Sequence, residues 1–166
     1  MTRTDALRAP AGLREQAARY ALLPLRLFLG VTFVYAGLDK LTDPAFLAAD
    51  GAGSIGELMR GVRHTAAVPG LVGLGLEAPV TFAVALAFGE LLVGLGALAG
   101  LLTRLAAVGG AVISLCLWLT VSWAVTPYYY GNDLVYLMAW TPLVLAGAPY
   151  LSLDSLIRSR RSLRTA

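Results

Sequence analysis

The sequence predicts an all-α integral membrane protein that folds as an antiparallel four-helix bundle. Its 166 residues are 58% hydrophobic and only 14% charged, whereas soluble domains carry about 45–50% apolar and about 25% charged residues. Four apolar runs approach the ~20 residues that cross about 30 Å of hydrocarbon. The basic residues lie mainly on one side of these runs. Together these observations indicate a single membrane domain.

The four predicted spans cover residues of about 20–38, 79–102, 105–125 and 131–149, within a membrane domain of residues 20–154. Almost nothing joins the second span to the third, so they must be antiparallel neighbours. Their glycines are expected to pack within the chain rather than to form a dimer face. Pro142 lies inside the fourth span, where it should kink the helix and free the carbonyl of Met138.

Three segments lie outside the predicted spans. Residues 1–19 are basic and predict an amphipathic helix on the inner leaflet, with a partly ordered tail as the alternative. Residues 155–166 form a basic tail. Residues of about 40–78 are expected to form a short helical cap outside the membrane. Ser54 and Glu57 have the spacing of a capping box, which predicts a helix start there.

The arginines predict the orientation of the bundle. They flank both termini and the turn at Thr103–Arg104, whereas the opposite side holds only Lys40, Arg60 and Arg63. By the positive-inside rule, both termini and this turn face the cytoplasm. The cap therefore faces outward.

Glu90 is the candidate catalytic residue, because it is the one charge inside an apolar run from Pro79 to Leu102. A charge at that depth is costly unless it is paired, protonated or wetted, so its default interpretation is functional. Arg26 is its predicted partner, at an axial offset of about 10 Å at 1.5 Å per residue.

Two interpretations of Glu90 stay open. It forms a structural ion pair with Arg26, or a hydrogen bond to Ser114, Thr120 or Thr32, because buried charges need partners whatever their purpose. Alternatively, it accepts protons beside a quinone or a water chain.

Other polar residues at the outer ends of the spans are pocket candidates. Asp39 and Lys40 end the first span, where they serve as interfacial anchors or line an outward-facing pocket with Asp133. Trp118 belongs to a group of aromatic residues that forms an interfacial belt or surrounds a quinone ring.

Several kinds of redox chemistry lack their residues in this sequence. The single Cys116 excludes an intramolecular disulfide or CxxC pair, and the lone His64 cannot form a metal cluster or a haem-ligating pair. There is no phosphate-binding or dinucleotide-binding glycine motif. We therefore expect no metal or haem in this chain, and no nucleic-acid partner.

Four motifs carry a family resemblance by their order and spacing. They are RLFLG starting at Arg26, YAGLDKL at Tyr35, GELLVG at Gly89 and AGAPYLSLD at Ala146. Over residues 22–154 the chain resembles the DoxX/DoxD family of small four-span bacterial membrane proteins. The Asp43-Pro44 step before a helix looks closer to the DoxD-like branch.

The resemblance implies a redox-associated subunit in the bacterial plasma membrane, with N-in and C-in topology. DoxD members are described as a subunit of thiosulfate:quinone oxidoreductase, so quinone is the implied cofactor and a protein subunit the implied partner, besides the lipid bilayer. Arg26, Lys40 and Glu90 would occupy the family's charged positions, and Tyr35 joins the quinone-pocket candidates. The alternative is a non-catalytic accessory or assembly subunit of a respiratory membrane complex.

Overall fold

A computed structural model describes residues 11–148 and 150–157. The helices are α1 Ala11–Tyr20, α2 Leu23–Thr42, α3 Ile55–Val62, α4 Pro69–Glu77, α5 Pro79–Ala99, α6 Thr103–Leu117 and α7 Asn132–Ala146, and residues 153–157 are also helical. A π-helical turn, Trp118–Ser122, continues α6, and a 3-10 turn, Tyr128–Tyr130, precedes α7.

Four of these helices form an antiparallel bundle. Helix α2 packs on α5, α5 on α6, α6 on α7, and α7 on α2. We call the end where α2 begins the tail end, and the end covered by α3 and α4 the cap end. The predicted all-α membrane bundle with a helical cap is confirmed.

Three apolar stretches are long enough to cross a membrane, namely Glu15–Thr42, Pro79–Ala99 and Thr103–Ser122. Helix α7 is shorter than the predicted span of residues 131–149. Its 15 residues reach about 22 Å, against about 30 Å of hydrocarbon. At the other terminus, α1 supplies a helix within the predicted N-terminal segment, and residues 1–10 and 158–166 lie outside the described part.

The segment after α7 compensates for the short helix by folding back across the tail end. Arg26, which is 4% exposed, donates hydrogen bonds to the carbonyl oxygens of Tyr150 at 3.1 Å and Leu151 at 2.6 Å. Asp154 accepts two backbone N–H groups at the start of α6, at 2.8 and 2.9 Å. A carboxylate there satisfies N–H groups that have no partner within the helix. We call this arrangement the tail clamp.

A set of buried apolar side chains fills the bundle between its middle and the tail clamp. The edge of the Phe33 ring meets the Trp140 ring, with centroids 5.0 Å apart at 82°. Trp140 also lies directly against Gly110, where a side chain would collide with the indole ring. We call this set the apolar plug; its members are Leu29, Phe33, Val93, Ala97, Ala107, Trp140 and Leu143.

Two of the sequence's local predictions are confirmed. Pro142 cannot donate to the carbonyl oxygen of Met138, and the Thr141 hydroxyl donates to that oxygen instead, at 2.7 Å. In the cap, the Ser54 hydroxyl accepts the backbone N–H of Glu57 at 3.1 Å. The Glu57 carboxylate accepts the N–H of Gly53 at 2.8 Å, so the capping box forms with its return bond shifted by one residue.

Glycines bring the backbones of α2 and α5 into contact. A Cβ atom on Gly94 would lie 2.6 Å from the Val34 nitrogen, and one on Gly37 would lie 2.6 Å from the Ala87 carbonyl oxygen. Such small surfaces allow close packing of membrane helices. Since backbone atoms cannot move aside as a flexible side chain can, these contacts determine how α2 and α5 align.

We expect the G37A substitution to destabilise the protein by about 1–3 kcal/mol, the usual cost of overpacking a well-packed core. The matched control is G73A in α4, where an added Cβ meets nothing within 4 Å. That change should be neutral or stabilise by up to ~1 kcal/mol, since alanine favours helix more than glycine does. Unfolding in detergent micelles measures both. Equal stability of G37A and G73A would contradict the close packing.

Candidate functional site

Lys40 and Glu90 form an ion pair inside the bundle. The Lys40 ammonium nitrogen donates a hydrogen bond to Oε1 of Glu90 at 3.0 Å and lies 2.8 Å from Oε2. Glu90 is 3% exposed, and Lys40 is the only lysine in the chain. The predicted interior position of Glu90 is therefore present, with a cation beside the carboxylate.

The pairing follows from the direction of side chains on antiparallel helices. Every Cα–Cβ bond in an α-helix tilts toward the helix N-terminus. Lys40 on α2 therefore leans toward the tail end, and its ammonium also lies 3.4 Å from the carbonyl oxygen of Ala36, one turn back. Glu90 on α5 leans toward the cap end. The two side chains converge, although Lys40 begins at the end of its helix.

The predicted partnership of Arg26 with Glu90 is wrong, for the same reason. Gly94 lies against Gly30 and Val34, and Gly37 lies against Ala87 and Leu91. In this antiparallel alignment Glu90 is level with Ala36, which puts Arg26 about 15 Å toward the tail end at 1.5 Å per residue and Lys40 only about 6 Å toward the cap end. Arg26 then leans away from Glu90, into the tail clamp. The other predicted partners do not bind Glu90 either: the Thr120 hydroxyl donates to the Cys116 carbonyl oxygen at 2.7 Å.

Asp133 on α7 is a second carboxylate that interacts electrostatically with the ion pair. It lies in the first turn of that helix, and the hydroxyl of Ser122 donates a short hydrogen bond to its Oδ2. Asp133 is within electrostatic range of both Lys40 and Glu90. Three elements, α2, α5 and α7, thus contribute one cation and two carboxylates to a polar cluster, which we call the charge cluster.

A cavity of about 390 Å³ lies between the helical cap and the cap-end halves of α5 and α6. Its walls are hydrocarbon apart from Lys40, Cys116 and Thr120, and Lys40 is the charged residue among the described ones that line it. The apolar walls come from both sides, including Leu58 and Met59 of α3 and Phe82 of α5. We call it the cap cavity. The Lys40 side chain belongs both to the wall of this cavity and to the charge cluster.

The remaining sequence candidates lie outside this arrangement. The side chain of Tyr35 is 70% exposed on the outer surface of α2, where lipid would surround it. Asp39 is exposed as well. Trp118 packs on Trp123, with ring centroids 5.3 Å apart, and does not line the cap cavity.

Sequence reasoning missed two parts of the site. The capping box predicts the cap helix but not the chamber beneath it. Ser122 is the last residue of a π-helical turn that no sequence pattern predicted. Such turns occur frequently at functional sites. The tilt of side chains, however, is a general rule and was a usable signal for pairing Lys40 with Glu90.

We expect K40M to cost about 3–5 kcal/mol of stability, because it leaves the Glu90 carboxylate buried without its cation. The K40M/E90L double variant should recover most of that loss, since it removes both charges. The control is R60M in the cap, where Arg60 and Asp50 form a pair with side chains 50% and 82% exposed. That variant should lose less than about 1 kcal/mol. Denaturant unfolding in micelles measures all three, and a K40M loss no larger than that of R60M would contradict a buried pair.

A family model covers most of the chain. Described as the TQO small subunit DoxD, it matches residues 21–165. No curated protein and no solved structure gives a significant match. The matched region contains α2 to α7, and with them Lys40, Glu90 and Asp133. The family relation that the sequence motifs predicted is confirmed: this membrane protein belongs to the DoxD family.

Proposed function

We propose that this chain is the quinone-binding membrane subunit of a thiosulfate:quinone oxidoreductase, with the quinone headgroup in the cap cavity beside Lys40. The observation that carries the proposal is the joining of one apolar cavity to one buried ion pair in a DoxD family member. Electrons would come from thiosulfate through a partner subunit.

The cap cavity suits a quinone in size, chemistry and access. Its volume of about 390 Å³ falls among ligand pockets of about 300–1,000 Å³, which are typically apolar with a few placed polar groups. Leu58 and Leu74 at its rim are 50% and 65% exposed. In a bilayer these side chains meet lipid, so an isoprenoid tail can stay in the membrane while the headgroup enters.

The charge cluster supplies the polar chemistry at this cavity. A quinone bound there would accept two electrons and two protons to become a quinol. The Lys40 ammonium can donate a hydrogen bond to a ring carbonyl oxygen, and an ammonium favours the negative charge that builds up there. Glu90 holds Lys40 in place and can give or take a proton at Oε1. In this proposal Lys40 is the cation beside Glu90, the position that the sequence analysis had predicted for Arg26.

The topology of the proposal follows from the basic residues. We place the tail end in the cytoplasm of a bacterial cell and the cap on the outer side of the plasma membrane, by the positive-inside rule. The cap cavity then opens into the outer leaflet.

The alternative, a non-catalytic accessory subunit, loses one of its arguments. Glycine surfaces and the cap are the features by which such a subunit could dock. Gly30, Gly37 and Gly94 lie in the contact between α2 and α5, and Gly110 lies against Trp140. These glycines are therefore used within the chain.

The test is the binding of a short-chain quinone to the purified chain, followed by tryptophan fluorescence quenching. We expect L58W, which fills the cavity from its rim, to weaken binding at least about tenfold, equivalent to about 1.4 kcal/mol. The matched control is L92W: Leu92 is also exposed and lines a separate apolar groove at the tail end. That variant should bind like the wild type.

Equal loss in both variants, or no binding by the wild type, would overturn the quinone site. Purification with partners from native membranes then tests the reaction. If thiosulfate-dependent quinone reduction is unchanged in L58W, the quinone that accepts the electrons does not bind in the cap cavity. That result would favour the accessory role.

A further inference from the structure

We infer that the Lys40–Glu90 pair exchanges protons with the cap side of the membrane and not with the tail side, and that Asp133 is the relay residue. The inference rests on the proposed function for the use of the protons, whereas the route itself is a property of the chain. It is built on the unequal surroundings of Glu90 toward the two ends of the bundle.

Toward the tail end, Glu90 faces the apolar plug. Every member of the plug lies on the tail side of the level that Glu90 shares with Ala36, as the helix contacts show. Its side chains are hydrocarbon or aromatic and are at most 8% exposed. A proton needs a chain of hydrogen-bonding groups or water to move, and among the described residues this close-packed layer offers only the isolated indole N–H of Trp140, which makes no hydrogen bond. The tail clamp closes the bundle beyond this layer.

Toward the cap end, the surroundings of Glu90 are polar. Lys40 bonds to it directly, and Asp133 lies within electrostatic range of both. Asp133 is half-buried at the start of α7, next to the exposed Asn132. Its carboxylate bonds to Ser122, the last residue of the π-helical turn. A carboxylate between the buried pair and the surface is well placed to pass a proton between them.

The inventory of facing groups leaves Asp133 as the relay. Lys40 comes from α2, Glu90 from α5 and Asp133 from α7. Helix α6 and its π-helical turn bring the hydroxyl of Ser122 and, in the cavity wall, Cys116 and Thr120, and α6 also holds the buried Ser114. The described cap residues that line the cavity are apolar. Asp133 is thus the acidic group of the described residues that stands between Glu90 and the cap-side surface.

The charges of the cluster favour proton uptake. With all three groups ionised, two carboxylates face one ammonium, which leaves an unmatched negative charge in a poorly solvated place. Binding of one proton removes that imbalance. When the proton is on Glu90, the Lys40 ammonium is released from the ion pair and can turn to a ligand in the cap cavity.

The test uses full-length protein inserted in one orientation into lipid vesicles, with the pH set separately on each face. We expect binding of a short-chain quinone to strengthen as the cap-side pH falls, by up to about tenfold per pH unit for one linked proton. The tail-side pH should have no effect. A response to the tail-side pH would overturn the sidedness.

Time-resolved infrared spectra after a pH jump give a readout that needs no quinone. The protonated-carboxyl band that E90Q removes identifies Glu90. We expect this band to follow a cap-side jump at least about tenfold more slowly in D133N than in the wild type, a barrier increase of about 1.4 kcal/mol. D133E should restore the rate, and D39N, which changes an exposed acid at the same end, should leave it unaltered.

The two readouts separate the two proposals. Normal infrared kinetics without quinone binding would remove the quinone site but keep the proton route. Quinone binding with identical proton kinetics in D133N and the wild type would remove Asp133 as the relay.

Discussion

A carboxylate buried among membrane helices needs a cation, and the rest of this structure depends on how Glu90 obtains one. The cation comes from the chain's only lysine, at the far end of the neighbouring helix. Their contact requires that α2 and α5 align as they do. Gly37 and Gly94 permit that alignment by letting the two backbones touch. Electrostatics and close packing therefore specify the same register.

The bundle is asymmetric about this pair. On the tail side, the apolar plug and the tail clamp close the structure, and the clamp uses the buried charge of Arg26 to hold the segment that follows the short α7. On the cap side lie Asp133, the π-helical turn and the cap cavity. The closely packed apolar part of the bundle and its cavity with charged residues thus lie at opposite ends. A cavity that opens at one end of the bundle is what the proposed quinone site would require.

Much of the fold could be predicted from the sequence, because hydrocarbon imposes simple rules on length and composition. The helical runs, the capping box and the role of Pro142 all followed from local chemistry. The length of α7 was overestimated, although Gly147, which ends the helix with a φ of 68°, is a local signal for a helix C-terminus. Of the predicted site residues, Glu90, Lys40 and Asp133 lie near one another. Tyr35 and Trp118 lie elsewhere, because residue type alone does not show which aromatic rings face the interior.

The pairing error has a physical cause. The glycine contacts put Lys40 closer than Arg26 to the level of Glu90. Side-chain direction, which was not considered for Arg26, also turns Lys40 toward Glu90 and Arg26 away from it. The cap cavity was beyond the sequence for another reason. It forms between the cap, α5 and α6, and the sequence of no single segment indicates how these elements pack together.

The central claim, that Lys40 neutralises Glu90 inside the bundle, is tested most directly by solid-state NMR in lipid. Labelling lysine with ¹⁵N marks a single ammonium group, because Lys40 is the only lysine. Its distance to the labelled carboxyl carbon of glutamate should match an ammonium that lies 2.8 and 3.0 Å from the two carboxylate oxygens, and the coupling should vanish in E90Q. Absence of this coupling in the wild type, or its persistence in E90Q, would contradict the account.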